Sequence, residues 1–249
     1  MFNAIFRPNG RGANATINPA SLALVNWLAA DYDTQQQHYI DLRRWLDGDH
    51  DVPLTDRQRE YLGRNANFPF SLNYLRLPVD LAVERLTITG FDGPEGIGGK
   101  GGLLDEWWTS NRMDALQAQV HYATAGDGDT SILVEWDDAN GRPVFSHEPA
   151  YDGVEGMKVH YLSNQRRQIT MASKVWTETT FDDAGRVQVA RRLNLYMPDR
   201  IERYIFNRGE WEPFEEAGYP WPIPNPIGRV PVSPFRWRDR GGNWGESEI

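Results

Sequence analysis

"GDGDTSILVEWDDANGRPVFSHE", residues 126–148, holds the point where this chain changes its character. Upstream of it, Leu104, Trp107, Trp108, Met113, Leu116 and Val120 recur mostly every third or fourth residue. That is the spacing of one helix face, and it predicts a helix over 103–125 that Gly126-Asp127-Gly128 then breaks. Downstream, "TSILVEW" (130–136) and "RPVFSHE" (142–148) are short runs rich in residues that suit a pleated surface. Asp138-Ala139-Asn140-Gly141 lies between them and supplies turn chemistry, so the two runs read as a β-hairpin.

Working outward, the upstream chain is helical. Residues 1–19, with Pro8, Gly10, Gly12 and Pro19, read as a loose arm. From Ala20 the apolar positions Leu24, Trp27, Leu28 and Tyr32 repeat at helical spacing, as do Tyr39, Leu42, Trp45 and Leu46 before Asp47-Gly48-Asp49. A short helix is expected over Asp56–Leu62 with Thr55 as its cap. Leu77, Leu81, Val83 and Leu86 suit a further helix with Pro78 in its first turn, where a missing N–H is harmless. An extended run at Thr87–Phe91 and a flexible, glycine-rich loop at Gly93–Gly102 should follow.

The downstream chain is β. Residues 157–162, 168–181, 186–197, 200–206 and 210–214 read as strands. They are separated by Asp183-Ala184-Gly185, Pro198-Asp199 and Asn207-Arg208-Gly209, all turn formers. From Gly218 the stretch "GYPWPIPNPIGRVPVSPF" is proline-rich and predicts an extended strap, because proline donates no backbone hydrogen bond and resists helix. The expected class is therefore α+β: N-terminal helices, an antiparallel β meander and a Pro-rich extended strap. The expected organisation is an arm at 1–19 and one α+β domain at 20–249.

Composition narrows the function classes. A chain of 249 residues with 40% hydrophobic and 24% charged residues is globular in type. Its ten Trp imply large apolar contact surfaces. The formal net charge of -9 runs against a general phosphate-tracking surface. With no cysteine, disulfide frameworks, thiolate metal sites and cysteine nucleophiles are excluded. The N-terminus "MFNAIFRPNGRG" lacks the sustained apolar core of a signal peptide. No run approaches the roughly 18 apolar residues of a membrane span. A soluble, intracellular chain without membrane partners is expected.

The chemistry-bearing patterns are weak one by one. Gly99-Lys100 invites comparison with a phosphate-binding loop, but Pro94 stands where the first glycine belongs and Gly101 where a Ser or Thr belongs. The histidines, His38, His50, His121, His147 and His160, never fall four apart, the spacing that sets two imidazoles on one helix face. Asp127, Asp129, Asp137 and Asp138 flank an apolar strand, so no calcium loop of alternating oxygen ligands forms. A carboxylate pair for glycoside hydrolysis stays open, since its spacing in space is not written in sequence. The basic clusters Arg166-Arg167, Arg191-Arg192 and Arg236-Trp237-Arg238-Asp239-Arg240 could face nucleic acid, but in so acidic a chain they read better as ion-paired surface. No catalytic, cofactor or metal residue is assigned.

The order of these segments is more telling than any one of them. "NYLRLPVDLAVERLTITGFDG" (73–93), "LLDEWWTSNRMDALQAQVHYATAGDGDTSILVEW" (103–136), "LNLYMPDRIERYIF" (193–206) and "NPIGRVPVSPFRWRDRGGNWGESEI" (225–249) together resemble the portal proteins of tailed bacteriophages. The likeness is to the type found in long-tailed phages of actinobacteria. It runs through Asn73, Glu84, Arg85, Leu86, Gly90, Phe91, Trp108, Asn111, Asp114 and Gly128. It continues through Pro226, Gly228, Pro231, Val232, Gly245, Ser247, Glu248 and Ile249. Met113 stands where the family usually shows Leu.

The resemblance implies the wing portion of a portal, without the stem, clip and crown. It implies no catalysis and no cofactor. It implies a ring of like subunits, a dodecamer in the virion, at one capsid vertex, with double-stranded DNA passing through its channel. The partners it implies are the major capsid protein, the terminase and the head-completion or adaptor proteins. The places it implies are the virion and, during assembly, the host cytoplasm. Ser247-Glu248-Ile249 suits a helix start, with Ser247 as N-cap and Glu248 at the positive end of the dipole, so a helix is expected to open there. Two further readings remain: a carboxylate-based carbohydrate-active hydrolase, and a wing-like interaction module that forms no channel.

Overall fold

The structure is a computed structural model that describes residues 19–30, 34–49, 55–62, 73–162, 165–181, 185–215, 218, 220–239 and 244–249. The expected arm lies outside the described residues but for Pro19, as do Tyr32, His50, Asp183-Ala184, Arg240 and the side chains of Arg166 and Arg167. In chain order the helices are α1 Pro19–Ala30, α2 Thr34–Asp47, α3 Asp56–Leu62, α4 Arg76–Val83, α5 Leu103–Ser110 and α6 Met113–Asp127. The strands are β1 Asp129–Asp137, β2 Arg142–Pro149, β3 Gly156–Leu162, β4 Gln165–Phe181, β5 Val187–Tyr196, β6 Arg200–Asn207, β7 Glu210–Pro213, β8 Ile223–Pro224 and β9 Val232–Arg236. Helices precede strands and the hairpin pairings are antiparallel, so the fold is α+β as expected. The chain divides into two compact units, one running to Asp33 and resuming over Ala150–Val232, the other holding Thr34–Pro149 and Ser233–Ile249.

The first unit is a meander with strand order β3-β4-β5-β6-β7, and β8 pairs with β6. The register aligns Val175 with Leu193 and Leu193 with Tyr204, so these side chains form a row on one face. Val25 and Leu28 of α1 pack on that row, with Leu195, Tyr151 and Trp211 buried beside them. Pro19 opens α1, where its fixed φ suits the first helical turn. β3 stops opposite Val175 and β6 opposite Arg191, so β4 and β5 run on past their neighbours as a two-stranded ribbon. Phe181, Val187 and Val189 on that ribbon are 69%, 60% and 67% exposed.

The strap beyond β7 is ordered by side chains rather than by a long strand. The Asn225 amide donates to the carbonyls of Met197 (2.8 Å) and Arg229 (2.7 Å), and its own oxygen accepts the Ile227 N–H. Trp221 stands edge-on to Tyr204 and donates its indole N–H to Arg203. This strap carries Pro226 and Gly228, the latter at φ +68°.

The second unit sets α2–α6 beside a sheet of order β2-β1-β9. Leu46, Val79 and Ala125 form one core cluster, joined by Tyr122, Trp237 and Ile249. Met113, Val120 and Ile132 form another, joined by Trp108, Leu116, Phe145 and Phe235. Thr55 caps α3 in a reciprocal pair: Gln58 Oε1 accepts the Thr55 N–H (2.8 Å) and Thr55 Oγ1 accepts the Gln58 N–H (3.4 Å). Pro78 sits in the first turn of α4, as expected.

One local expectation is corrected, and three others gain detail. The helix expected over 103–125 is two helices, separated at Asn111 and Arg112, with Arg112 at φ +53°. The second also runs past Ala125 to Asp127, and Gly128 at φ +88° closes it. Thr87–Phe91, expected as an extended run, lies in no helix, and its Ile88 N–H goes to the Gln117 side chain (3.1 Å). The Gly93–Gly102 loop is tied by backbone bonds such as Gly99 N–H to Phe91 O (2.7 Å). A Cβ at Gly98 would fall 2.3 Å from Gly93 N, so glycine is needed there for backbone to touch backbone. Ser247 Oγ accepts the Ile249 N–H as an N-cap would (3.0 Å).

The core row and the ribbon should respond differently to truncation. Leu193, fully buried, changed to Ala should cost about 2–5 kcal/mol in urea unfolding. Val189→Ala on the exposed ribbon should cost no more than about 0.5 kcal/mol. Equal losses at both positions would contradict the placement of the core.

Candidate functional site

Among the described residues, a dense polar constellation lies where α6 hands over to β1. A helix end leaves its last carbonyls without intrahelical partners, and a buried carbonyl needs one. Here the chain near its C-terminus supplies the donors. Ser247 Oγ donates to Gly126 O (2.6 Å), and Glu248 N–H donates to Ala125 O (2.9 Å). Trp237 N–H donates to Gly128 O (2.8 Å).

Two glycines make this approach possible. A Cβ at Gly245 would sit 2.0 Å from Gly128 O, and one at Gly128 would sit 2.7 Å from Gly245 O. Gly128 also occupies the left-handed backbone region, which side-chain-bearing residues adopt at a cost. Both positions therefore require glycine, Gly128 on two separate grounds.

One buried and one partly buried carboxylate flank this contact. Asp127 is 5% exposed, and Arg43 grips it with Nε at 3.1 Å and a terminal nitrogen at 2.9 Å. Asp129 accepts the Tyr39 hydroxyl (2.9 Å) and the Gly245 N–H (2.9 Å), with Arg236 Nε at 3.5 Å. Burial pushes the Asp129 carboxyl above the usual carboxylate range, while the bonds from Tyr39 and Gly245 and the charge of Arg236 work against that rise. Tyr39 is pushed strongly upward, first by burial and then by the neighbouring Asp129 charge. Its hydroxyl therefore stays protonated and keeps donating. On the strap side, Glu248 accepts the Trp237 indole N–H (2.8 Å) and pairs with Arg238 (2.8 Å).

The residues that carry the family resemblance fall into several places. Gly128, Gly245, Ser247, Glu248 and Ile249 meet at this junction. Phe91 lies edge-on to Trp108 at 5.3 Å, and Trp108 donates its indole N–H to Asp114 (2.8 Å). Asn111 turns its amide onto β2, accepting the Phe145 N–H (2.9 Å) and donating to Pro143 O (3.0 Å). It thereby pairs strand groups as a neighbouring strand would. Asn73 donates to Leu46 O at the end of α2. Glu84, Arg85, Leu86 and Gly90 stay exposed at and beyond the end of α4. Pro226 and Gly228 belong to the Asn225 turn, and Pro231 is buried just before β9.

Several other chemical candidates are engaged in structure. His147 faces Thr130 Oγ1 at 2.8 Å, and burial pushes its imidazole below the ordinary value. Asp137 folds into the hairpin turn, accepting the N–H groups of Ala139 and Asn140. Arg192 pairs with Glu178 (2.8 Å) and lies 3.7 Å over the Phe214 ring. Arg236 and Arg238 are both in ion pairs. Among the described residues no group of three or more His, Cys, Asp or Glu is placed to hold a metal. Among them, too, no helix is long and apolar enough to cross a membrane.

The Tyr39–Asp129 and Arg43–Asp127 pairs were not visible in sequence, since 90 and 84 residues separate the partners. The paired carboxylates have their oxygens filled by donors, so the arrangement is suited to holding segments together. No protein-family model matches the chain, and no curated protein matches its sequence.

Two measurements check this account. Gly128→Ala should cost at least about 2 kcal/mol, combining left-handed strain with a backbone clash, whereas Gly141→Ala, at φ +62° with open space around it, should cost only about 1 kcal/mol. The second concerns pH. A carboxyl whose folded pKa is raised binds its proton more tightly folded than unfolded. Asp129 therefore contributes most below the ordinary carboxylate pKa, and that contribution falls as pH rises through the raised folded value. Unfolding free energies measured across acid pH should lose this downward component in Asp129→Asn.

Proposed function

We propose that this chain is the wing portion of a tailed-phage portal protein. In that role it is a structural subunit of a ring at one capsid vertex, without catalysis of its own. The ring is a conduit for double-stranded DNA in packaging and ejection. It docks the terminase, and then the head-completion or adaptor proteins, against the major capsid protein.

One observation carries the proposal. The ordered series of family-like residues is also a set of structural pins. Phe91, Trp108 and Asp114 form one chain of contacts, Asn111 closes onto β2, and Gly128 meets Gly245 beside Ser247 and Glu248. Residues far apart in sequence would have no reason to share a family pattern and a contact set unless the pattern serves one fold. The carboxylates of the α6–β1 junction support the non-enzymatic part, because both are already neutralised by Arg43 or Arg236. The net charge of -9 also agrees with a passage along which DNA slides rather than sticks.

Electron microscopy of the product of the whole reading frame tests the proposal. Closed rings with an axial opening, retaining terminase on a co-purification column, are the expected result. A monodisperse monomer that neither forms rings nor retains terminase would overturn it.

A further inference from the structure

The hairpin between β1 and β2 holds a feature that the proposed function does not use. Asn140 is followed by Gly141, and both are exposed. An asparagine before glycine is open to attack on itself. The Gly141 backbone nitrogen adds to the Asn140 side-chain carbonyl carbon, forming a C–N bond. The bond from that carbon to Nδ2 breaks, and Nδ2 leaves as ammonia, taking up the proton lost by the backbone nitrogen. Water then opens the resulting five-membered imide at either carbonyl, giving aspartate or its isomer with the chain running through the side chain. No oxidant or reductant is involved, and water is the sole co-reactant. Glycine favours the reaction because it has no side chain of its own to obstruct the approach, and the space around Gly141 is open.

We propose that Asn140-Gly141 is a latent site of spontaneous deamidation, and that Asp137 holds it in check. Three contacts make the case. The attacking group is tied down, because the Gly141 N–H donates to Asp137 O (2.8 Å). The leaving group is tied down, because Asn140 Nδ2 donates to Asp137 Oδ2 (2.6 Å). The Asn140 N–H also donates to Asp137 Oδ1 (3.3 Å), and the Ala139 N–H does so at 3.0 Å, which fixes the turn. The intermediate of the attack carries negative charge on the Asn140 carboxamide oxygen. A carboxylate within hydrogen-bond reach of that carboxamide opposes such charge by like-charge repulsion. Those same bonds hold the Asp137 carboxyl below its ordinary pKa, led by the Asn140 side chain, so it remains ionised. Loss of the clamp converts a neutral turn residue into an additional negative charge at the tip of an edge hairpin.

The test is peptide mapping by mass spectrometry after incubation of the folded chain in mildly alkaline buffer, scoring conversion of Asn140 to aspartate and its isomer. Asp137→Ala should raise the rate about tenfold, the effect of roughly 1.4 kcal/mol on the barrier. Asp137→Asn keeps the acceptor for the turn N–H groups and removes the charge, so its rate should fall between the two. The unaltered chain in concentrated urea should convert about as fast as Asp137→Ala, which keeps the test independent of how well the variants fold. Rates within twofold for the folded chain, the urea-unfolded chain and Asp137→Asn would overturn the proposal.

Discussion

Gly128 and Gly245 meet backbone to backbone, and much of the second unit is arranged around that contact. Asp129 takes the Gly245 N–H across 116 residues of chain. Closing a loop of that length costs on the order of 4 kcal/mol in chain entropy, more than one net hydrogen bond returns. The contact therefore stands only because others form with it. Ser247 and Glu248 fill the last carbonyls of α6, Trp237 binds Gly128 O, and Trp237 and Ile249 add apolar burial beside Leu46 and Val79. Each is modest, and they share one ordering cost. Any side chain at Gly128 or Gly245 would push the two segments apart and lose them together.

The charges at this place follow from the same geometry. Bringing a helix end, a strand start and a returning segment together buries Asp127 and part of Asp129. A buried carboxylate is tolerated only when its charge is matched and its oxygens are filled. Arg43 answers Asp127 with a two-pronged grip, which a lysine could not reproduce. Tyr39 answers Asp129, and burial makes that hydroxyl harder to ionise, so it remains a donor wherever the protein is folded. A shift of the returning segment would part Asp129 from the Gly245 N–H and from Arg236.

What could be read from the sequence was what depends on neighbours along the chain. The change from helix to strand near Gly126-Asp127-Gly128, the Thr55 cap, the hairpin at Asp138–Gly141 and the order of the meander all follow from local periodicity and turn chemistry. The split of the long helix has a trace in the sequence: the apolar interval from Trp108 to Met113 is five residues, too long for one face. The cause lay elsewhere, in the demand of β2 for the Asn111 side chain. The order within the glycine loop comes from backbone packing against backbone, and a count of glycines cannot tell that from looseness. A serine before glutamate fits a helix start, and Ser247 Oγ accepts the Ile249 N–H as such a cap would; that its hydroxyl also donates to the end of another helix has no signature in the sequence. The candidate site has no signal in the sequence, because pairing between Tyr39 and Asp129 has no periodic signature.

A site that performs acid–base chemistry needs a group with a free lone pair or a free proton facing its substrate. At the α6–β1 junction the opposite condition holds: Asp127 is closed by Arg43, Asp129 by Tyr39, Gly245 and Arg236, and Glu248 by Trp237 and Arg238. The raised proton affinity of Asp129, which elsewhere could mark a catalytic acid, here follows from burial beneath its own donors. Chemical idleness of this kind suits a part that transmits load. Under force, a junction held by one strong bond fails when that bond fails. One held by several short bonds between three segments must lose them nearly together. For a subunit proposed to sit in a ring through which DNA is driven, a helix end locked on three sides is the more useful property.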